Sequence, residues 1–401
     1  FKSQDFDIKG IPIIKIKNVA SGQLIWDDIH FFSKSISGLK QFIIQKDDIL
    51  IAMTGSHITQ ISSVVGKVTR YNSNHTALLN QRVGKIFSMD ENKLNNNFLY
   101  YFMVQPITQY KLAIAASGSA NQANISSGQI KNLLINLPPL EEQKKIAAVL
   151  SSLDAKIDNL RRQNETLEKI AQTLFKHWFI DFEFPNNEGK PYKSSGGVMV
   201  NSELKEIPAG WSVGKLKDLG KIVCGKTPSK SNNNFYGGEI PFIKIPDMHG
   251  NIFVLETNDK LSPQGSESQI NKLLPPYSIN ISCIATVGLV TINTKKSHTN
   301  QQINSIILNN QQYLEYLYFR LKSLSDYLNL LGSGGTATLN VNTNTFSNIE
   351  ILVPQAKTIN EYHKIVNSIF SKIESNLNQI QTLTKMRDEL LPKLMSGEIR
   401  V

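Results

Sequence analysis

The chain has 401 residues, room for more than one domain, and its 40% hydrophobic and 19% charged residues exclude wholesale disorder or a collagen-like chain. Lys and Arg number 43 against 33 Asp and Glu, a formal charge of +10 that suits a polyanionic partner without requiring one. No apolar run approaches the roughly 20 residues that span a bilayer, so no membrane role is expected. Two cysteines, Cys224 and Cys283, and no signal-like start point to a reducing, cytoplasmic setting. The chain begins at Phe1 rather than Met, and a natural N-terminus is expected to be missing.

Taken in chain order, short apolar runs at 41–53 lie between Gly, Asn and Ser clusters and predict strands and turns with some helix. Leu137-Pro138-Pro139 breaks the chain, and a long helical pattern follows. Residues 184–200 are rich in Asn, Gly, Lys and Ser and read as a linker. The plan then repeats: a short apolar run at 279–286, a break at Val353-Pro354, and a second long helix.

The repetition extends to motifs. Ile11-Pro12-Ile13-Ile14-Lys15-Ile16 returns as Ile240-Pro241-Phe242-Ile243-Lys244-Ile245, and Asn80-Gln81-Arg82-Val83 as Asn300-Gln301-Gln302-Ile303. Ser117-Gly118 with Asn124, Asn132 and Pro138 returns as Ser333-Gly334 with Asn340, Asn348 and Pro354. Three matches in the same order exceed chance, and the drifting offset fits loops that gained and lost residues.

Both helical patterns carry a heptad seam, stepping 4,3,4,3 through Ile146, Leu150, Leu153, Ile157, Leu160, Asn164, Leu167, Ala171 and Leu174 in the first. The second runs Tyr362, Val366, Ile369, Ile373, Asn376, Ile380, Leu383, Arg387 and Leu390. A narrow seam predicts helix-on-helix pairing over residues 141–181 and 358–391. Setting Asn164 opposite Asn376 in an antiparallel pair also sets Leu150 opposite Leu390, Ile157 opposite Leu383 and Leu167 opposite Ile373. Leu153 then meets Arg387, a flaw unless the Arg reaches out to solvent. Pro392 is expected to end or kink the second helix.

At this point the chain resembles the specificity subunits of type I restriction-modification enzymes. The residues that carry the resemblance are Leu137-Pro138-Pro139-Leu140-Glu141-Glu142-Gln143, Leu174-Phe175-Lys176-His177-Trp178-Phe179, Ile207-Pro208-Ala209-Gly210-Trp211, Gly225-Lys226-Thr227-Pro228 and Leu390-Leu391-Pro392-Lys393-Leu394. It implies an α+β chain with two similar mixed α/β target-recognition domains, separated by two long helices pairing as an antiparallel coiled coil about a pseudo-two-fold axis. The expected boundaries are 1–139 for the first domain, 140–182 for the first spacer helix and 183–206 for a linker. The second domain is expected at 207–356, with the second spacer helix and tail at 357–401. The first half lacks a counterpart of 207–239, so its domain is expected to be N-terminally incomplete. The resemblance implies a non-catalytic subunit whose domains each read half of a bipartite double-stranded DNA site. Its helices would set the spacer and dock methyltransferase subunits, two in number, and restriction subunits through the complex. A coiled-coil adaptor with two protein-binding modules and no DNA role is the alternative.

Enzyme motifs fail on context. Gly220 to Thr227 spells a Walker A loop, yet Pro228 and Ser229-Lys230-Ser231-Asn232 follow where a phosphate-receiving helix is needed. Leu274-Pro275-Pro276-Tyr277 resembles an amino-methyltransferase signature but puts Leu where Asn or Asp must accept the target amine. The seven histidines are scattered and the cysteines too few for zinc, so no metal or cofactor is expected. A DNA reader needs phosphate contacts for position and base-edge contacts for sequence. The candidates, on predicted loops, are Lys15, Lys17, His57, Lys67, Arg70 and Arg82 in the first half. In the second they are Lys226, Thr227, Lys230, Lys244, Lys295, Lys296 and His298. Asn80, Gln81, Gln301 and Gln302 sit at matched positions and suit bidentate contact to adenine.

Overall fold

In a computed structural model, which describes residues 1, 3–56, 65–119, 122–333 and 339–401, the chain divides into two units. The first comprises Phe1–Asp158 with Thr382–Val401, and the second Asn159–Gln381. Each long helix contributes a segment to each unit.

In the first unit, strand Ile11–Ile14 lies between His30–Phe32, antiparallel, and Ala77–Leu79, parallel, with Ile43–Ile44 beyond. A second, antiparallel sheet joins Val83–Ile86, Ile49–Ala52 and Val68–Arg70. The Ile49-Leu50-Ile51-Ala52 run is continuous in apolar residues because both of its faces are covered. Ile49 and Ile51 pack with Phe98, Tyr101 and Leu112, while Leu50 and Ala52 pack with Ile14, Ile44 and Tyr71. Helix α1 (Asn96–Val104) starts where the Asn95 side chain accepts the Phe98 N–H at 3.1 Å. Helix α2 (Pro106–Ala115) begins on a proline, whose missing N–H costs nothing in a first turn, and α3 (Ser127–Lys131) on a Ser126–Gln129 capping box. Buried Gln143 ties the start of α4 (Leu140–Phe175) to α1. It donates to the Lys93 and Pro138 carbonyls and accepts from the Asn95 N–H.

The second unit repeats these registers. Ile13 pairs with Leu78 in the first unit, and Phe242 with His298 at the matching place in the second. Ile51 faces Val68 and Gly84, and Ile281 faces Val290 and Asn304. The second unit adds Gly220–Cys224 along Ile303–Leu308 and Ser212–Lys215 along Glu350–Val353. In the first unit, among the described residues, Val83–Ile86 is an edge strand. Helices α5 (Leu216–Leu219), α6 (Ile245–Met248), α7 (Pro263–Glu267), α8 (Leu314–Ser323), α9 (Ser325–Gly332) and α10 (Thr343–Ser347) complete the second unit with α11 (Ala356–Ser396).

Within the second unit, Asn376 Nδ2 donates to Asn164 Oδ1 at 2.8 Å, and Trp178 meets Tyr362 with ring centroids 5.7 Å apart. Moving forward along one helix moves backward along the other, so the pair is antiparallel. In the first unit Leu150 packs in one cluster with Leu390, Leu391 and Leu394.

Three expectations need correction. Helix α11 does not stop at Pro392 but runs to Ser396. Proline removes the hydrogen bond to the Asp388 carbonyl, a cost of about 3 kcal/mol, and burial of Leu391, Leu394 and Met395 offsets it. Arg387 neither opposes Leu153 as a flaw nor reaches into solvent. It pairs with Asp154 at 2.9 Å, whose other oxygen accepts the Tyr101 hydroxyl at 2.6 Å. The Asn- and Gly-rich segment at 184–200 is not a loose linker. Phe184 stacks between Tyr192 and Trp211 at 4.6 and 5.1 Å, and Met199–Val200 pairs with Ile207–Pro208. Two aromatic anchors fix a stretch whose average composition is that of a coil.

Candidate nucleic-acid interface

Two turns hold equivalent places in the two units. In the first, the Asn80 N–H donates to the Ile14 carbonyl at 3.0 Å, and the Asn80 side chain accepts from the Gln81 N–H and the Phe1 ammonium. Arg82 sits at φ 69°, so the chain turns sharply into the next strand with Gln81 and Arg82 both exposed. In the second, the Asn300 N–H donates to the Ile243 carbonyl at 3.2 Å. The Asn300 amide then holds the Gln302 backbone and side chain, at 3.1 and 2.9 Å. Asparagine is therefore the turn former in both copies, as its short amide favours. Asn80 and Gln302 are engaged within the turns, and Gln81, Arg82 and Gln301 face outward.

The second turn gains a neighbour. Strand Gly220–Cys224 delivers Gly225 against Thr299 and Asn300 so closely that a Cβ there would collide with both. The Lys226 N–H donates to the Thr299 carbonyl at 2.9 Å, and Thr227 Oγ1 donates to Gln301 Oε1 at 2.6 Å. Lys226, Thr227 and Gln301 thus come together. Tyr236 donates its hydroxyl to the Pro228 carbonyl at 2.7 Å and steadies the loop that carries Lys230. Sequence reasoning missed the positioning roles of Gly225 and Tyr236. The Walker spelling marked Gly225 as a phosphate-loop glycine, but no helix receives the loop; a short turn at Asn233–Phe235 follows.

The remaining candidates divide by environment. Arg82, Lys226, Lys230 and Lys296 are exposed and have no carboxylate partner among the described residues. Lys17 is paired with Asp28, Lys244 with Asp259, and Lys295 with Glu256 at 2.7 Å. Lys15 lies over the Phe6 ring at 4.1 Å, and burial, with Lys17 nearby, holds its pKa below the usual lysine value. Lys67 is half-buried, and its carbonyl accepts the Ala52 N–H at 2.9 Å. His57 lies outside the described residues.

Lys17 lies in the short helical turn Ile16–Asn18, and two candidates lie in strands. Arg70 ends strand Val68–Arg70, on the same face as the core residue Val68, because side chains alternate along a strand. Its guanidinium covers the Tyr100 ring at 4.1 Å, and its Nε and Nη2 are buried without partners. His298 is fully buried in the strand beside Phe242, with Nε2 2.8 Å from Ser266 Oγ. Burial pushes its pKa down to about 4, so the imidazole is neutral near pH 7.

Two copies of one mixed sheet, each ending in an outward polar turn and each followed by a long helix, make this an internally duplicated protein. The chain matches the family described as type I restriction modification DNA specificity domain twice, at residues 1–169 and 208–385, and it belongs to that family. Its role is that of a non-catalytic DNA-specificity subunit. It is 42% identical to the type I restriction enzyme HindI specificity subunit of Haemophilus influenzae, over 75% of this chain and 77% of that one. It is 34% identical to the MjaIX specificity subunit of Methanocaldococcus jannaschii, over 76% and 69%. Its fold is similar to that of an S subunit from M. genitalium, with a TM-score of 0.58 at 16% identity, covering 98% of this chain and 91% of that one.

Proposed function

We propose that residues 1–139 and 207–356 each read one half of a bipartite double-stranded DNA site. The long helices, about 140–182 and 357–401, set the distance between the half-sites. They also dock methyltransferase subunits, two per chain, with restriction subunits joining through the assembled complex in the cytoplasm. The observation that carries this reading is the matched pair of turns, with Gln81 and Arg82 exposed in one copy and Gln301 beside Lys226 in the other. Glutamine suits adenine and arginine suits guanine in the major groove, while lysine holds phosphate. The turns hold the same place in the two units and differ in side chains and in local backbone, with Arg82 at φ 69° and its counterpart Gln302 not in that region, as two readers of different half-sites require.

Exchanging residues 207–353 for the equivalent domain of a relative, then mapping methylated sites, tests this reading. One half of the recognised site is expected to change and the other to persist. A swap that changes both halves, or neither, defeats it.

A further inference from the structure

The turn between His298–Thr299 and Ile303–Leu308 is clasped at both feet by the strand beside it. The Gly225 N–H donates to the Ile303 carbonyl at 3.0 Å, and the Lys226 N–H to the Thr299 carbonyl at 2.9 Å. Between the feet, Cys224 Sγ lies 3.9 Å from the Gln301 carbonyl oxygen. The backbone of Gln301 is therefore held in place by the protein itself, while its side chain is exposed. Half-buried Thr227 follows Lys226 directly, so the same clasp sets its hydroxyl against the Gln301 amide, where Oγ1 donates to Oε1 at 2.6 Å. Tyr236, bonded to the Pro228 carbonyl at 2.7 Å, fixes the loop on the far side of Thr227.

This contact decides which end of the amide is free. The oxygen is turned to Thr227, and Nε2, with its two N–H donors, has no partner among the described residues. The matched residue of the first unit differs. Gln81 is exposed as well, but among the described residues its amide has no partner and no strand like Gly220–Cys224 runs beside Val83–Ile86. Both ends of the Gln81 amide are available.

The two purines separate these states. In the major groove adenine sets an amine donor beside the N7 acceptor, and an amide meets it by presenting oxygen and nitrogen together. Guanine sets two acceptors, O6 and N7, side by side, and donors alone meet it. An unrestrained glutamine suits the first, and a glutamine whose oxygen is already engaged suits the second.

We propose that Thr227 is a positioning residue that makes Gln301 a reader of guanine, so that the second domain requires guanine where its half-site meets this turn. This rests on the reading that the turn faces the edges of the bases. It replaces, at Gln301 alone, the adenine preference that a free glutamine carries.

The test uses the full chain assembled in its restriction-modification complex. Competing duplexes vary each base pair of both half-sites in turn, and the domain exchange above assigns the half-site of the second domain. In the wild type one position of that half-site should prefer guanine by at least about fivefold. Thr227→Val keeps the shape of the side chain without the hydroxyl, and should move that position toward adenine while the other half-site stays unchanged. Thr227→Ser keeps the hydroxyl and should keep guanine. Gln301→Glu presents acceptors only and should turn the preference to cytosine. Equal melting of all four proteins verifies the fold. If Gln301→Glu alters a position that Thr227→Val leaves as it was, or if Thr227→Val weakens every sequence alike, the positioning role is overturned. If the position that Gln301→Glu alters reads adenine in the wild type, the guanine assignment is overturned. Both results leave the turn a reader of DNA. If Gln301→Glu changes preference at no position, the reading of this turn falls together with the proposal.

Discussion

Burial turns His298 from a DNA contact into a stability element with a definite pH signature. Its folded pKa of about 4 lies below the ordinary 6.5. Between those values the unfolded chain takes up a proton that the folded chain refuses, so stability falls as pH drops through that window and levels off below it. The loss is about 2–4 kcal/mol at roughly 1.4 kcal/mol per pKa unit. Urea midpoints at pH 7 and pH 5 should converge in His298→Gln and separate in the wild type; equal separation in both refutes the assignment. Arg82 and Lys226 are exposed and unpaired among the described residues, so Arg82→Ala and Lys226→Ala should leave melting unchanged. Lys226→Ala should reduce the slope of log affinity against log salt by about one unit and weaken binding to all sequences alike, whereas Arg82→Ala should relax base preference within one half-site. An unchanged slope removes Lys226 from the interface, and unchanged preference and affinity remove Arg82. The matched Asn-Gln turns were legible because a turn depends on a short stretch of sequence. The inward facing of Arg70 and His298 was not, because a basic residue in a short strand looks like one in a loop until its neighbours are known.

At the scale of elements, the seam was legible because heptad spacing survives any choice of partner, and it carried the antiparallel register with it. The fate of Pro392 and of residues 184–200 was not. Both depend on distant contacts, Leu391 and Leu394 in a core in one case and Phe184 against Trp211 in the other, which local composition does not encode. The Asn164–Asn376 contact is a polar step in an apolar seam. One hydrogen bond joins the amides, while Asn164 Nδ2 and Asn376 Oδ1 are buried without partners. Asn376→Leu alone strands the facing amide and should cost about 1–3 kcal/mol. Replacing both with Leu should recover that loss or exceed the wild type, as seam asparagines trade stability for register. A double-mutant cycle in urea measures the coupling, and additive losses would show that the two amides do not act as a pair.

For the whole molecule, the consequence lies in two helices that each pass through both units. Residues 158 and 159 of α4, like 381 and 382 of α11, fall on either side of the division. No hinge loop interrupts the path there, so length added to both helices is transmitted rather than absorbed. Seven residues keep the seam in phase, because the apolar positions recur every heptad, whereas four would introduce a stutter. Inserting a heptad at both boundaries lengthens each helix by about 10 Å at 1.5 Å per residue. Along a duplex rising 3.4 Å per base pair, that is about three base pairs. The sequences of the half-sites should persist, because no side chain of either turn is altered, and the undefined spacer between them should grow by about three. Mapping methylated sites reads both quantities at once. A spacer of unchanged length shows that the helices do not set it, and altered half-sites show that reading and spacing are not separate properties of this chain.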